Sequence, residues 1–292
     1  MGARDLRAAL LGLSLLAATA AAEPAAWRVE TAEGTELWLL GSVHYLRDED
    51  LPLPDSVENL YRRADTLVME LDLDDLDPFE VQLQFMQAAM LPPAESLRGV
   101  LSEDVYATVA SSASDLELDL EAFERFEPWL VALMLLDLRM ASLGFSAAQG
   151  LEQQLLRRSG EDGKPILGLE PIAAQIGVFD DLPMTEQEAL LRQTLEELES
   201  PASEMDELLN AWHAGSLDEL TDELLASFAD FPTLYQALVV ARNRRWLTEL
   251  ERLAREPGRF LVVVGALHLV GQDSVVELLR DRGFDVVRFQ LR

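Results

Sequence analysis

The chain has no cysteine and a single lysine, Lys164, among its 292 residues. Without cysteine there are no disulfides, no thiolate metal sites and no Cys nucleophile. The fold must be held by its core, and any metal site must be built from His, Asp, Glu, Asn or water. Basic residues are scarce as a class: 23 Lys and Arg stand against 53 Asp and Glu, a formal net charge of −30. Nucleic acid and anionic lipid both need a basic footprint, so neither is expected as a partner. Such a surface reads first as a solvated acidic one; the functional alternative is attraction of cations, including metal ions or basic peptides. Long hydrophobic runs are also missing from the body of the chain. The most apolar stretch there, 129–143, contains Asp137 and Arg139. It reads as a buried helix, so no integral membrane span is expected in the mature chain.

The N-terminus has the order of a secretory signal. Arg4 and Arg7 form a positive n-region, residues 8–18 an apolar h-region, and Ala20-Ala21-Ala22 before Glu23 a cleavage site. A signal peptide is expected over 1–22, cleaved near Ala22, with export to the periplasm. With no cysteine, a lipid-modified residue at that point is excluded.

The rest reads as short apolar strands separated by long helical stretches. Strands are expected at 27–31 and 36–40, a hairpin around Glu33-Gly34, and at 66–69, 165–169, 260–264 and 284–291. Helical periodicity runs over 78–90, 102–113, 127–143, 147–158, 185–214, 217–228, 233–255 and 274–280. This is an α/β pattern: a mostly parallel central sheet with flanking helices and a large helical insertion, or cap. One domain over 23–292 is expected, with helical insertions around 78–160 and 184–256.

Histidine is rarer than any of this suggests, with three in the chain. Two of them share one setting, an apolar run followed by Gly-x-x-His. The first is Leu39-Leu40-Gly41-Ser42-Val43-His44 and the second Val263-Val264-Gly265-Ala266-Leu267-His268. Composition alone would place Gly three residues before two of three histidines in about 1% of such chains. Glu70 ends the strand 66–69, and Glu170 ends the strand 165–169. In a parallel sheet the carboxyl ends of the strands share one edge, where ligands bind. The two His and two Glu are therefore expected to meet there.

Two neutral imidazoles and a carboxylate suffice for a divalent metal with open positions for water. In that reading His44, His268 and Glu70 are the ligands, Glu170 supports a ligand or acts as base, and the ion is Mn²⁺, Co²⁺ or Zn²⁺. The same residues also permit metal-free activation of water by a His held by a Glu. Arg242, in Arg242-Asn243-Arg244-Arg245-Trp246, is either part of a salt-bridged helix surface or a clamp for substrate charge. His213, at a helix end before Gly215, reads as structural.

These fragments together resemble the TraB/GumN/TIKI family over nearly the whole mature length. Besides the two Gly-x-x-His segments, the matching pieces are Leu53-Pro54, the run from Ala64 to Asp72, Gly168-Leu169-Glu170, Ala211-Trp212 to Gly215, and Arg242-Asn243. The resemblance implies an α/β core and carries the family's motif histidines onto His44 and His268 and its glutamate onto Glu70. It points to a metal-dependent hydrolase, a metallopeptidase first, acting on a peptide or a small ester or amide. A metal-independent esterase-like hydrolase and a haem- or ligand-binding protein are the alternatives within the wider relatives.

Overall fold

The computed structural model describes residues 25–289, apart from 32–33, 199–201 and 230. The expected signal peptide and Glu33 of the hairpin turn lie outside the described residues. Six strands form one sheet: β1 (Ala26–Glu30), β2 (Thr35–Ser42), β3 (Thr66–Met69), β4 (Ile166–Gly168), β5 (Gly258–Gly265) and β6 (Asp285–Arg288). Their order is β4-β3-β5-β2-β1-β6. The four strands β4, β3, β5 and β2 are mutually parallel, while β1 runs antiparallel to both β2 and β6. The mostly parallel sheet expected from the sequence is therefore present.

Position in the sheet follows composition. Strands β2 and β5 lie at the centre and bury nearly every residue on both faces, which is why they read as unbroken apolar runs. The edge strand β6 buries Val286 but exposes Asp285 and Val287. Gly34 turns the hairpin between β1 and β2 with φ +90°, a conformation that costs glycine little.

Helix α1 (Asp55–Arg63) joins β2 to β3. Between β3 and β4 come α2 (Pro78–Ala88), α3 (Leu97–Val100), α4 (Glu103–Asp115), α5 (Pro128–Ser142) and α6 (Leu151–Asp162). Between β4 and β5 come α7 (Ile172–Asp180), α8 (Met184–Leu198), α9 (Ala202–Ala214), α10 (Leu217–Ala226), α11 (Pro232–Tyr235) and α12 (Ala241–Leu253). Helix α13 (Val275–Asp281) leads into β6. Leu97, Val105, Val109, Val131, Leu135, Leu191 and Leu195 build an apolar cluster of their own, so helices from both insertions pack together away from the sheet. Among the described residues no helix is long and apolar enough to cross a membrane.

Three helical expectations need correction. The single helix over 185–214 is two, α8 and α9; Pro201 between them has no amide hydrogen and cannot continue α8. The single helix over 233–255 is α11, a π-helical turn at Gln236–Val240, and α12. Helix α7 was not expected, because Ile172, Ala173, Ala174, Ile176, Gly177 and Val178 show no polar face and hence no helical period.

Candidate active site at the carboxyl edge of the sheet

The two Gly-x-x-His segments are neighbours. Strands β2 and β5 pair in parallel with Gly41 opposite Val264 and Ser42 opposite Gly265. The backbone leaves the sheet after each, carrying His44 and His268 past the same edge. A Cβ on Gly41 would lie 3.1 Å from Ala266 Cα and 3.2 Å from its Cβ, so the glycine lets the two segments pack against each other. The Trp212 indole donates to Gly41 O at 2.8 Å and clamps this crossing from α9. Strand β3 lies on the other side of β5 and ends at Glu70.

Each imidazole is anchored through Nδ1. His44 Nδ1 lies 2.9 Å from Glu152 Oε1, and the Ser42 hydroxyl donates to the same carboxylate oxygen. His268 Nδ1 lies 2.6 Å from Asn243 Oδ1. The Asn243 amide donates its own hydrogens to Asp273 O at 2.8 Å and to His268 O at 3.5 Å. Its oxygen must therefore face the ring, which places the proton of neutral His268 on Nδ1 and leaves Nε2 as an acceptor.

The remaining faces converge. Glu70 Oε1 accepts from Gly265 N at 2.9 Å and lies 3.9 Å from His268 Nε2. A single point, where a Cβ on Gly265 would stand, is 3.5 Å from Glu70 Oε1, 3.5 Å from His44 Nε2 and 3.6 Å from His268 Cδ2. His44, Glu70, Leu71, Glu152 and Gln175 line an open cavity of about 190 Å³ at this place. The His44 side chain is 62% exposed, whereas those of Glu70 and His268 are 11% and 7% exposed.

Arg242, expected either on a salt-bridged helix surface or as a clamp for substrate charge, is turned inward. Its side chain is 6% exposed. Nη2 pairs with Glu70 Oε2 at 2.5 Å and Glu170 Oε1 at 2.6 Å, and Nη1 donates to His268 Nε2 at 3.2 Å. Glu170 is likewise committed: it also accepts from Arg242 Nε at 2.9 Å and from the Trp246 indole at 3.1 Å. Trp246 packs against the His268 ring, with centroids 4.5 Å apart. His213 bonds its own helix at Leu209 O, as a structural residue does.

The charges follow from these contacts. Burial would push Glu70 up, but His268, Arg242, His44 and the Gly265 amide outweigh it and pull the carboxyl down to about 2. Burial holds His268 down at about 4, neutral near pH 7. Glu152 raises His44 to about 9.

Glu152 was not singled out by sequence reasoning, because it lies on α6, inside a stretch that shows only an amphipathic helix. Asn243 was noted only as part of a matching dipeptide. Its role depends on α12 facing the loop after β5, which no spacing reports.

A family model described as the TraB/PrgY/gumN family matches residues 25–288. The chain belongs to that family. Among curated relatives, the protein YbaP of Escherichia coli (strain K12) is 29% identical over 243 residues, covering 83% of this chain and 87% of YbaP. A Treponema pallidum (strain Nichols) protein is 25% identical, covering 88% and 80%. A protein named metalloprotease TIKI homolog from Amphimedon queenslandica is 24% identical, covering 91% of this chain and 61% of its own length. No solved structure matches. The TIKI relatives make hydrolysis a possible activity for this member of the family.

The residue types at the edge, two imidazoles and a carboxylate, are ones that bind divalent cations. Both imidazoles have Nδ1 engaged by an oxygen, the arrangement that orients metal-ligating histidines, and His268 Nε2 lies 3.9 Å from Glu70 Oε1. The spacing is not closed around one centre: among the described residues no group of three or more His, Cys, Asp or Glu side chains is set to hold a metal ion. The nearest cation to His268 Nε2 is the Arg242 guanidinium.

Proposed function

We propose that this chain is an exported hydrolase of peptide, ester or amide bonds, metal-dependent, with peptides as the first substrate class. The observation that carries the reading is the pair of oppositely anchored imidazoles, His44 on Glu152 and His268 on Asn243, flanking Glu70. His44, His268 and Glu70 would hold the ion. A bound divalent ion supplies a nucleophilic water at neutral pH and polarises a carbonyl. This chain's own residues do the rest. Asn243 keeps the His268 lone pair on Nε2. Glu152 orients His44 and takes the charge of its ring. Arg242 and Trp246 hold Glu170 and, through Arg242, fix Glu70 at the edge. The cavity beside His44 and Glu70 admits substrate.

Metal content of protein purified without added metal tests the reading, together with hydrolysis of a quenched peptide library. Stoichiometric metal lost in His268→Ala is expected. No metal, and no thermal shift with Mn²⁺, Co²⁺ or Zn²⁺, would overturn it. Fractionation of the producing cells tests export, which rests on residues 1–22.

One observation favours a second reading. Arg242 already places a fixed positive charge 3.2 Å from His268 Nε2 and in contact with Glu70. A guanidinium there can stabilise a developing oxyanion without a metal. His44, held by Glu152, would then act as base on water only as pH rises toward about 9, where its ring loses its proton. Hydrolysis that survives exhaustive chelation selects this reading.

A further inference from the structure

Four of the five exposed large hydrophobic side chains among the described residues fall in one short segment: Phe79, Leu83, Met86 and Met90. Their spacing of four, three and four puts them on one face of α2 and the residues just after it. Asp77 caps this helix by accepting from the amides of Phe79 and Glu80, so the face is held in place. The opposite face, with Phe85 and Ala88, packs on a cluster containing Trp129 and Ile176. Phe79 is 72% exposed and the other three 42–45%. A contiguous apolar stripe of this kind on a water-soluble surface marks an interaction site.

The stripe adjoins the candidate active site. Leu71 and Leu73 line the cavity beside His44 and Glu70, and Asp77 starts α2. Helix α7, against which α2 packs, contributes Gln175 to the same cavity. Charge selects the occupant. Asp72, Asp74, Asp75 and Asp77 lie in sequence between Leu71 of the cavity and Phe79 of the stripe, Glu80 follows on α2, and no Lys or Arg occurs from 64 to 97. A net charge of −30 opposes both a second copy of this chain and an anionic membrane.

We propose that the Phe79–Leu83–Met86–Met90 face is a docking surface for a flexible polypeptide that is both apolar and basic, leading it past the acidic loop into the cavity. The proposal takes its substrate direction from the hydrolase reading, but binding does not require turnover. Met residues suit such a surface because they adapt to varied side chains. A peptide of about fourteen residues, extended to roughly 45 Å, is long compared with the roughly 16 Å of α2.

The test measures fluorescence anisotropy of a labelled leucine/lysine peptide of that length, and of its leucine/glutamate counterpart, with the full chain at fixed salt. The leucine/lysine peptide is expected to bind at least about tenfold more tightly. F79S/M86S should weaken it by about tenfold or more with an unchanged melting temperature. D74N/D75N should weaken it less, and less still at high salt. Binding equal for the two peptides, or unaffected by F79S/M86S, overturns the proposal. So does a change from dimer to monomer in F79S/M86S by sedimentation with peptide binding intact. If the peptide binds as expected but no substrate is cleaved, the hydrolase reading fails and the docking surface stands.

Discussion

Asn243 Oδ1 accepts the Nδ1 proton of His268 at 2.6 Å, and the Asn243 amide nitrogen is itself held by Asp273 O at 2.8 Å. That pair sets the tautomer of a buried ring. Asn243→Ala leaves His268 Nδ1 and the Asp273 carbonyl without partners, at a cost of about 1–3 kcal/mol. Loss of the anchor of a metal-ligating His lowers metal affinity or activity by roughly 10- to 100-fold. Asn243→Asp should keep the hydrogen bond to the ring but not recover the stability, because a carboxylate has no hydrogen to donate to the Asp273 carbonyl. Urea unfolding gives the first quantity, and ¹⁵N chemical shifts of the His268 ring report the tautomer directly. A ring still protonated at Nδ1 with unchanged stability in Asn243→Ala would remove Asn243 from this role.

Arg242 bridges two carboxylates, Glu70 and Glu170, in a setting where all three are nearly buried. Removing the guanidinium leaves two buried anions facing each other. Arg242→Ala should cost about 3–5 kcal/mol, the scale of a broken buried ion pair. Arg242→Lys recovers little, because one ammonium cannot reproduce the forked contacts. The double change Arg242→Met with Glu170→Gln should be milder than Arg242→Ala alone, since it removes one of the stranded charges. Denaturation midpoints of the three variants check the order.

Much of this edge was legible before the fold was known. Gly41 and Gly265 after apolar runs, with His three residues on, foretold neighbouring strand ends, and β2 and β5 are in fact paired. Glu70 and Glu170 also stand at strand ends, with Glu170 N bonded to Glu70 O at 3.0 Å. The direction of their side chains was not legible. Glu170 follows the Trp246 indole and Arg242 into the interior, and only the packing of α12 decides that. Arg242 sits beside Arg244 and Arg245, so composition suggested a solvated basic face, yet the helix rotation buries the first and exposes Arg245. A partner supplied by another helix, such as Glu152, leaves no trace in the spacing around His44.

The pH dependence of stability in metal-free protein should be asymmetric. His268 is held near 4 by burial against an ordinary 6.5, so the unfolded chain binds more protons between these values and stability falls as pH drops through them. Glu70, at about 2 against 4.5, adds stability above 4.5 that is lost as pH falls through about 2. His44 has the opposite sign. Raised to about 9 by Glu152, it contributes fully below 6.5 and loses its contribution as pH rises through 9. Its side chain is 62% exposed, so water screens the pair and the alkaline limb is the shallower one. Urea unfolding of chelator-treated protein from pH 4 to 9 should peak near 6.5. Glu152→Gln should flatten the alkaline side and leave the acid side in place. An alkaline limb as steep as the acid one would contradict this assignment.

Gly265→Ala separates the site from the fold. The added methyl would meet Glu70 Oε1 and His44 Nε2 at 3.5 Å and His268 Cδ2 at 3.6 Å, all ordinary contact distances. Gly265 has φ −48°, open to any L-residue, so the backbone accepts the change. Stability should therefore shift by less than about 1 kcal/mol. The methyl nevertheless stands at the one point that the three groups surround, where a ligand or a reacting atom has to approach. Activity, and any metal uptake, should fall by about 100-fold or more, the scale of losing a preorganised contact at a reacting centre. Gly41→Ala makes the control at the matching position of the other motif. Its Cβ would press on Ala266 and Ala25 at 3.1–3.3 Å, so it should lose stability while leaving the donor groups unobstructed. Melting temperature and turnover measured on both variants give opposite patterns if the edge is the active site. Full turnover in Gly265→Ala would place the chemistry elsewhere.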